Sequence, residues 1–271
     1  KADKLIGTDI YLRFQSVGAT INLMFASVLA EGKTIIHNAA KEAEIENIAD
    51  FLISMGANIS GAGTDEITII GVEKLHGGDI TVLPDRIEAG TYIILGALVG
   101  KDLCIKNIIP KHLEALTSKL KDMASDITIN EDNIVISKVD NLKPTNIKTL
   151  VYPGFPTDIG QPMSVLLTQA KGTSLFEETI WENRMGHVPS LNKMGANITV
   201  KGMSSMVIGP SKLHGCEVVA TDLRGGAALV LAGLTAEGTT IINDVEHILR
   251  GYENIDKKLR SVGAKIEIKE I

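Results

Sequence analysis

Ser54-Met-Gly-Ala-Asn-Ile59 returns as Lys193-Met-Gly-Ala-Asn-Ile198, and in altered form as Asp122-Met-Ala-Ser-Asp-Ile127 and Ser261-Val-Gly-Ala-Lys-Ile266, at a spacing of roughly 70 residues. Upstream of the phrase lies a stretch with apolar residues every three or four positions, as in Ile45, Ile48, Ala49 and Leu52, or Leu113, Leu116, Leu120 and Met123. That period predicts an amphipathic helix ending at each phrase. Glycine has no Cβ and adopts the left-handed backbone at little cost, so Gly56 and Gly195 read as helix stops with a strand starting directly after.

Working outward, a second pair recurs in each unit. The apolar stretches Ala89–Leu98 and Ala227–Ala236 read as helices, and the β-rich runs Leu103–Ile108 and Thr239–Asn243 read as the strands that follow. Thr8–Arg13 and Ser174–Glu178 read as further strands. The unit is therefore strand-helix-strand-helix-strand-strand, and four such units fill the chain. Two also share an opening, Leu75-His-Gly-Gly-Asp-Ile-Thr-Val-Leu-Pro-Asp-Arg86 against Leu213-His-Gly-Cys-Glu-Val-Val-Ala-Thr-Asp-Leu-Arg224. The period exceeds that of common solenoid repeats, and the helices carry wide apolar faces, so closed α/β domains are expected rather than an open array. The polar stretch Asp140–Lys148 reads as a loop or a boundary.

The 271 residues carry 27 Lys and Arg against 33 Asp and Glu, a net charge of −6. General affinity for nucleic acid or anionic membranes is not expected, and any anion site must be local. Apolar stretches such as Gly225–Gly233 are far shorter than the ~20 residues of a membrane span, and no signal-peptide pattern opens the chain. Cys104 and Cys216 sit in strand-like runs and read as buried structural thiols in a reducing cytoplasm. The chain opens at Lys1 without an initiator Met, which suggests that its beginning is missing. Neither a Walker loop nor a GxGxxG between strand and helix is present. The six histidines are scattered, only His214 and Cys216 being close together, which gives a metal site little support.

Charged residues at strand-to-helix corners remain. Thr221-Asp222-Leu223-Arg224 places unpaired helix N–H groups and a guanidinium together. It reads either as an anion clamp or as a helix cap, Asp222, beside a solvated arginine. Asp85 and Arg86 repeat that geometry. Arg250 reads as the start of the last helix. Pro156 fixes an extended approach to Asp158, which can cap the next helix or act as a base. Glu182-Asn183-Arg184 reads as an ion-paired turn or as part of a cleft wall.

Taken in order, Ser16-Val-Gly-Ala-Thr20, Leu83-Pro-Asp-Arg-Ile-Glu88, Phe155-Pro-Thr-Asp158, Glu182-Asn-Arg184, Thr221-Asp-Leu-Arg224 and Arg250-Gly-Tyr-Glu253 closely resemble the enolpyruvyl transferase family, across essentially the whole chain. Within that family the details are similar to the branch acting on UDP-N-acetylglucosamine rather than the one acting on shikimate 3-phosphate. The resemblance implies inside-out α/β barrels with helices at the centre, residues 1–83 being the remainder of a first barrel and 84–271 a second. It implies addition of the sugar 3-hydroxyl to C2 of phosphoenolpyruvate and release of phosphate, with no metal or organic cofactor.

By the same resemblance, Asp158 lies beside the reacting hydroxyl, Asp222 handles protons, and Arg224 and Arg250 hold phosphoenolpyruvate, where planar guanidinium donors suit carboxylate and phosphate. Phe14, Gln15, Ser16 and Val17 contact the UDP portion, Phe14 standing where some relatives have lysine, and the backbone at Ile180 meets the nucleotide sugar. The family's N-terminal lysine-asparagine pair and its mobile cysteine loop have no counterpart here, since Cys104 and Cys216 match neither. The chain alone is therefore expected not to turn over, a complementing N-terminal segment being a conceivable partner. A non-catalytic scaffold of the same fold is the competing reading, which Asp158, Arg224 and Arg250 together argue against.

Overall fold

The computed structural model describes residues 3–269. Two compact units are present, one of Lys1–Leu83 with Val151–Pro153, the other of Pro84–Leu150 with Gly154–Ile271. The first contains β1 (Asp9–Tyr11), α1 (Val17–Ser27), β2 (Lys33–His37), α2 (Ala43–Ser54), β3 (Asn58–Ser60) and β4 (Glu66–Ile70), in the order of elements expected for one repeat. Its sheet runs β1-β2-β4-β3, with β1 parallel to β2 and the other pairs antiparallel. Met24, Ile36, Ile45, Ile67 and Ile69 are fully buried at its centre.

The second unit begins with α3 (Arg86–Val99), β5 (Leu103–Lys106), a 3₁₀ turn at Pro110–Leu113, α4 (Glu114–Asp122), β6 (Asp126–Ile129) and β7 (Asn133–Ser137). Next come β8 (Ile147–Lys148), α5 (Thr157–Leu167), β9 (Gly172–Glu177), α6 (Val188–Lys193), β10 (Asn197–Lys201) and β11 (Ser204–Gly209). Then follow β12 (Glu217–Val219), α7 (Leu223–Thr235), β13 (Ile241–Asn243), α8 (Glu246–Leu249) and α9 (Ile255–Ser261). Its strands form three sheets, β5-β7-β6, β10-β11-β9-β8 and β12-β13, and no sheet closes on itself among the described residues. The mixed α/β content matches the expectation.

Two of the four repeats depart from the six-element pattern. Asp79–Leu83 pairs with no strand and is instead held by Asn47, whose amide donates to the Thr81 carbonyl at 3.4 Å and accepts from Leu83 N at 3.3 Å. After α9, the residues through Lys269 form no ladder. Asp140–Lys148 proves to be a turn leading into β8.

Helices α3, α5 and α7 pack against one another. Ile159–Leu167 of α5 and Gly225–Ala232 of α7 are buried without interruption, which explains why α7 is apolar all round there, whereas α5 buries the polar Gln161 and Ser164 among its apolar residues. Close approach requires a missing side chain: a Cβ on Gly90 of α3 would stand 2.6 Å from Ile159 Cδ1.

The recurring phrase closes each helix with the same pair of hydrogen bonds. Ala57 N donates to Leu52 O at 2.9 Å and Gly56 N to Ile53 O at 2.9 Å. The pair repeats as Ser125 to Leu120 with Ala124 to Lys121, as Ala196 to Leu191 with Gly195 to Asn192, and as Ala264 to Leu259 with Gly263 to Arg260. This is a Schellman cap, which places the intervening residue in the left-handed region. Its φ is +98° at Gly56, +100° at Gly195, +96° at Gly263 and +61° at Ala124, the one alanine in the series. The duplicated Leu-His-Gly serves the same corner, since His76 N and His214 N donate to Met55 O and Met194 O, each at 2.9 Å.

The cysteines differ from expectation. Cys104 is exposed and Cys216 half-buried. Side chains alternate along a strand, and on β5 the sequence puts Leu103 and Ile105 on the inner face, leaving Cys104 and Lys106 outside.

Candidate active site

Helix starts position the chemistry. Ser16 caps α1, accepting from Ala19 N at 3.2 Å. Asp85 caps α3, accepting from Ile87 N at 2.7 Å and Glu88 N at 3.0 Å. Asp222 caps α7, accepting from Arg224 N at 3.0 Å and Gly225 N at 2.9 Å. The fourth equivalent helix, α5, breaks the rule: its cap position is Pro156, with no side-chain cap. Asp158 therefore does not cap α5. It lies one position past Thr157, inside the first turn, and its carboxylate is engaged elsewhere.

That engagement is with two arginines. Arg224 reaches one oxygen, Oδ2, with Nε at 3.2 Å and Nη2 at 3.1 Å, while Arg184 Nη2 donates to the other, Oδ1. The Arg184 and Arg224 side chains are only 19% and 12% exposed, so the pairs are largely shielded from solvent. Arg224 is thus not a solvated helix-end residue. Its guanidinium lies 5.5 Å from the centre of the Tyr252 ring, and Tyr252, fully buried, shares a 2.9 Å hydrogen bond with Thr91 Oγ1. Burial by itself would lower the Arg224 pKa, but Tyr252 and the Asp158 carboxylate outweigh it, so the guanidinium stays charged with its pKa raised.

Behind Arg184 is a carboxylate that sequence reasoning missed. Glu178 is 2% exposed and accepts from Thr149 Oγ1 at 2.8 Å, Thr157 Oγ1 at 2.8 Å, Ile180 N at 2.7 Å and Trp181 N at 3.1 Å. Thr157 Oγ1 in turn accepts from Arg184 Nε at 3.2 Å. A hydrogen-bonded chain with fixed polarity therefore runs from Arg184 through Thr157 to Glu178, tying the start of α5 to the Ile180–Trp181 turn. The available signal was a Glu ending a β-rich run just before a polar loop, and it was read only as the end of a strand. Gln161 and His187, both 2% exposed, also went unread. The imidazole of His187 is pushed down to about 4 by burial, which Asp222 and the Arg184 backbone only partly offset.

The remaining expected residues are Arg250, Ile180 and the Phe14–Val17 stretch. Arg250 is exposed and follows α8 as its C-cap instead of starting the last helix, because Asn254 in the left-handed region separates it from α9. No hydrogen bond or ion pair joins Arg250 to Asp158 or Asp222 among the described residues. Phe14 is 51% exposed, and Gln15, Ser16 and Val17 are half-buried at the start of α1 in the first unit. Ile180 is half-buried, with its N–H held by Glu178. Among the described residues no group of three or more His, Cys, Asp or Glu side chains is placed to hold a metal ion, and no helix is long and apolar enough to cross a membrane.

The chain is 56% identical over 266 residues to a UDP-N-acetylglucosamine 1-carboxyvinyltransferase of Clostridium botulinum, covering 98% of this chain and 64% of that protein. It is 55% identical to UDP-N-acetylglucosamine 1-carboxyvinyltransferase 2 of Bacillus subtilis, covering 98% and 62%. It therefore spans less than two thirds of the length of these curated relatives. Among solved structures, the enolpyruvyl transferase NikO from Streptomyces tendae matches with a TM-score of 0.90 at 27% identity, covering 97% of this chain and 65% of that one. An EPSP synthase from Acinetobacter baumannii matches in fold, with a TM-score of 0.77 at 21% identity over 98% of this chain and 64% of that one. With the model of the EPSP synthase (3-phosphoshikimate 1-carboxyvinyltransferase) family matching residues 1–259, this chain belongs to that family of enolpyruvyl transferases.

Proposed function

We propose that this chain serves the transfer of the enolpyruvyl group of phosphoenolpyruvate to the 3-hydroxyl of UDP-N-acetylglucosamine, with release of phosphate, the first committed step of peptidoglycan synthesis. The observation that carries this reading is Asp158 held between Arg184 and Arg224, a carboxylate and two planar cations of the kind the reaction needs. The sugar oxygen bonds to C2 of phosphoenolpyruvate while C3 gains a proton. Loss of that proton and cleavage of the C2–phosphate oxygen bond then restore the double bond and free phosphate.

In this scheme a ligand carboxylate or phosphate draws the arginines away from Asp158, whose carboxylate is then free to accept the hydroxyl proton. Arg224 and Arg250 hold phosphoenolpyruvate and stabilise charge developing in the intermediate. Asp222 manages the proton at C3. Phe14, Gln15, Ser16, Val17 and the backbone at Ile180 meet the nucleotide. We read residues 1–83 as the remainder of one inside-out barrel and 84–271 as a second, working in the cytoplasm without a resident cofactor.

Calorimetric titration with UDP-N-acetylglucosamine tests this reading, using the chain alone and mixed with the stretch of a relative that it does not span. Saturable binding that is lost on Asp158→Ala supports the assignment. Absence of binding in both settings rejects it, and binding of shikimate 3-phosphate instead assigns the other acceptor.

A further inference from the structure

Gln161 is, with Ser164, one of two polar side chains in the buried stretch Ile159–Leu167 of α5, and it is itself 2% exposed. It stands three residues after Asp158, so the two share a face of α5. Its Nε2 donates to the main-chain carbonyl of Arg184 at 3.2 Å and, as a long three-centre bond, to Asp222 Oδ1 at 3.4 Å and Oδ2 at 3.3 Å. An amide nitrogen has two hydrogens, and each has its own destination. One secures the loop that carries Arg184. The other secures the carboxylate that caps α7 and thereby fixes the backbone of Arg224. The two arginines that clamp Asp158 thus have their supports joined at one nitrogen.

We propose that Gln161 is a positioning residue, which orients the Asp222 carboxylate and sets the separation of Arg184 and Arg224 across Asp158. This deepens the function proposed above and rests on it. The charged and titratable groups around Gln161 are Asp158 on its own helix, Arg184 and His187 from the loop and start of α6, and Asp222 and Arg224 at the start of α7.

The test substitutes Gln161→Glu and Gln161→Leu and measures binding of UDP-N-acetylglucosamine from pH 5.5 to 8.5 beside the unsubstituted chain. In Gln161→Glu the introduced carboxyl, when protonated, donates one hydrogen bond to Asp222, whereas its ionised form opposes Asp222 with like charge. The expected result for Gln161→Glu is near-normal relative affinity at the acid end and a loss of about tenfold toward the alkaline end. Gln161→Leu is expected to bind weakly by a constant ratio at every pH. A relative affinity of Gln161→Glu that does not change with pH overturns the proposal, as does normal binding by Gln161→Leu. Thermal melting of the same samples distinguishes a failure of the positioning role from a failure of the proposed function. If UDP-N-acetylglucosamine binds neither the unsubstituted chain alone nor that chain mixed with the stretch of a relative that it does not span, the proposed function fails and the positioning role falls with it, even where a melting deficit of Gln161→Glu growing with pH verifies its contact with Asp222. If the unsubstituted chain binds normally and only the pH signature is missing, the positioning role alone fails.

Discussion

Arg224 places two guanidinium nitrogens, Nε at 3.2 Å and Nη2 at 3.1 Å, on a single oxygen of Asp158, 66 residues earlier in the chain. The other oxygen accepts from Arg184, in the loop before α6, so one carboxylate is shared between two cations. Removing that negative charge leaves two largely buried arginines facing each other.

Asp158→Asn is therefore expected to lower stability by about 1–3 kcal/mol, less than a fully buried pair would lose because Asp158 is itself 34% exposed. Chemical denaturation with both arginines intact measures this. An unchanged midpoint would show that the pairs contribute nothing net to folding.

Glu178 has a different energetic character, since its partners are two hydroxyls and two backbone N–H groups. Glu178→Leu strands these donors in a dry interior, with an expected loss of about 3 kcal/mol or more. Glu178→Gln keeps one acceptor oxygen and should lose about half as much, while setting an N–H against the hydroxyl of Thr157. Urea unfolding of the two variants side by side checks the order. Equal losses would mean that packing, not hydrogen bonding, dominates at this position.

The left-handed cap offers a stabilising substitution. Ala124 holds φ +61° where the other three caps have glycine. An L-residue with a Cβ is disfavoured there by roughly 1–2 kcal/mol, part of which glycine returns through its greater freedom when unfolded. Ala124→Gly is expected to gain about 0.5–1 kcal/mol, and Gly195→Ala to lose more than that, because its Cβ would also come within 2.9 Å of His214 Nδ1. Differential scanning calorimetry should shift the two melting temperatures in opposite directions.

His187 makes stability depend on pH in a defined window. Its ordinary pKa near 6.5 falls to about 4 in the fold, chiefly by burial. Between those values the unfolded chain carries the proton and the native chain does not, so lowering the pH favours unfolding. The contribution of His187 is complete above about pH 6.5 and lost as the pH falls through 4. His187→Gln should flatten the slope of unfolding free energy against pH in that interval, and an unaltered slope would rule the imidazole out as its source.

The part of the fold readable from sequence was local. A Schellman cap is written in six consecutive residues, and helices such as α2 declare themselves by apolar residues one turn apart, so recurrence of the Met-Gly-Ala-Asn phrase revealed the repeats. Strand ends were less legible: Thr8–Arg13 was expected and Asp9–Tyr11 formed, the ladder stopping at Tyr11 because its partner β2 ends at His37.

For the site, sequence supplied the residue types, with Asp158, Asp222 and Arg224 marked by their positions at corners and by family resemblance. It determined that an apolar helix follows the Thr221–Arg224 corner and offered Asp222 as its cap, because an aspartate accepting from N–H groups just ahead of an apolar run needs nothing distant. It left undecided whether Arg224 lay in solvent and whether Asp158 capped a helix, and it misjudged Arg250 as a helix start. Only the tertiary structure decided which carboxylate each guanidinium meets and that Glu178 and Gln161 lie buried beneath them. Those pairings join groups 21 to 66 residues apart. They arise where α5 meets the start of α7 and the loop between β9 and α6, at a range where neither helical period nor strand alternation carries information.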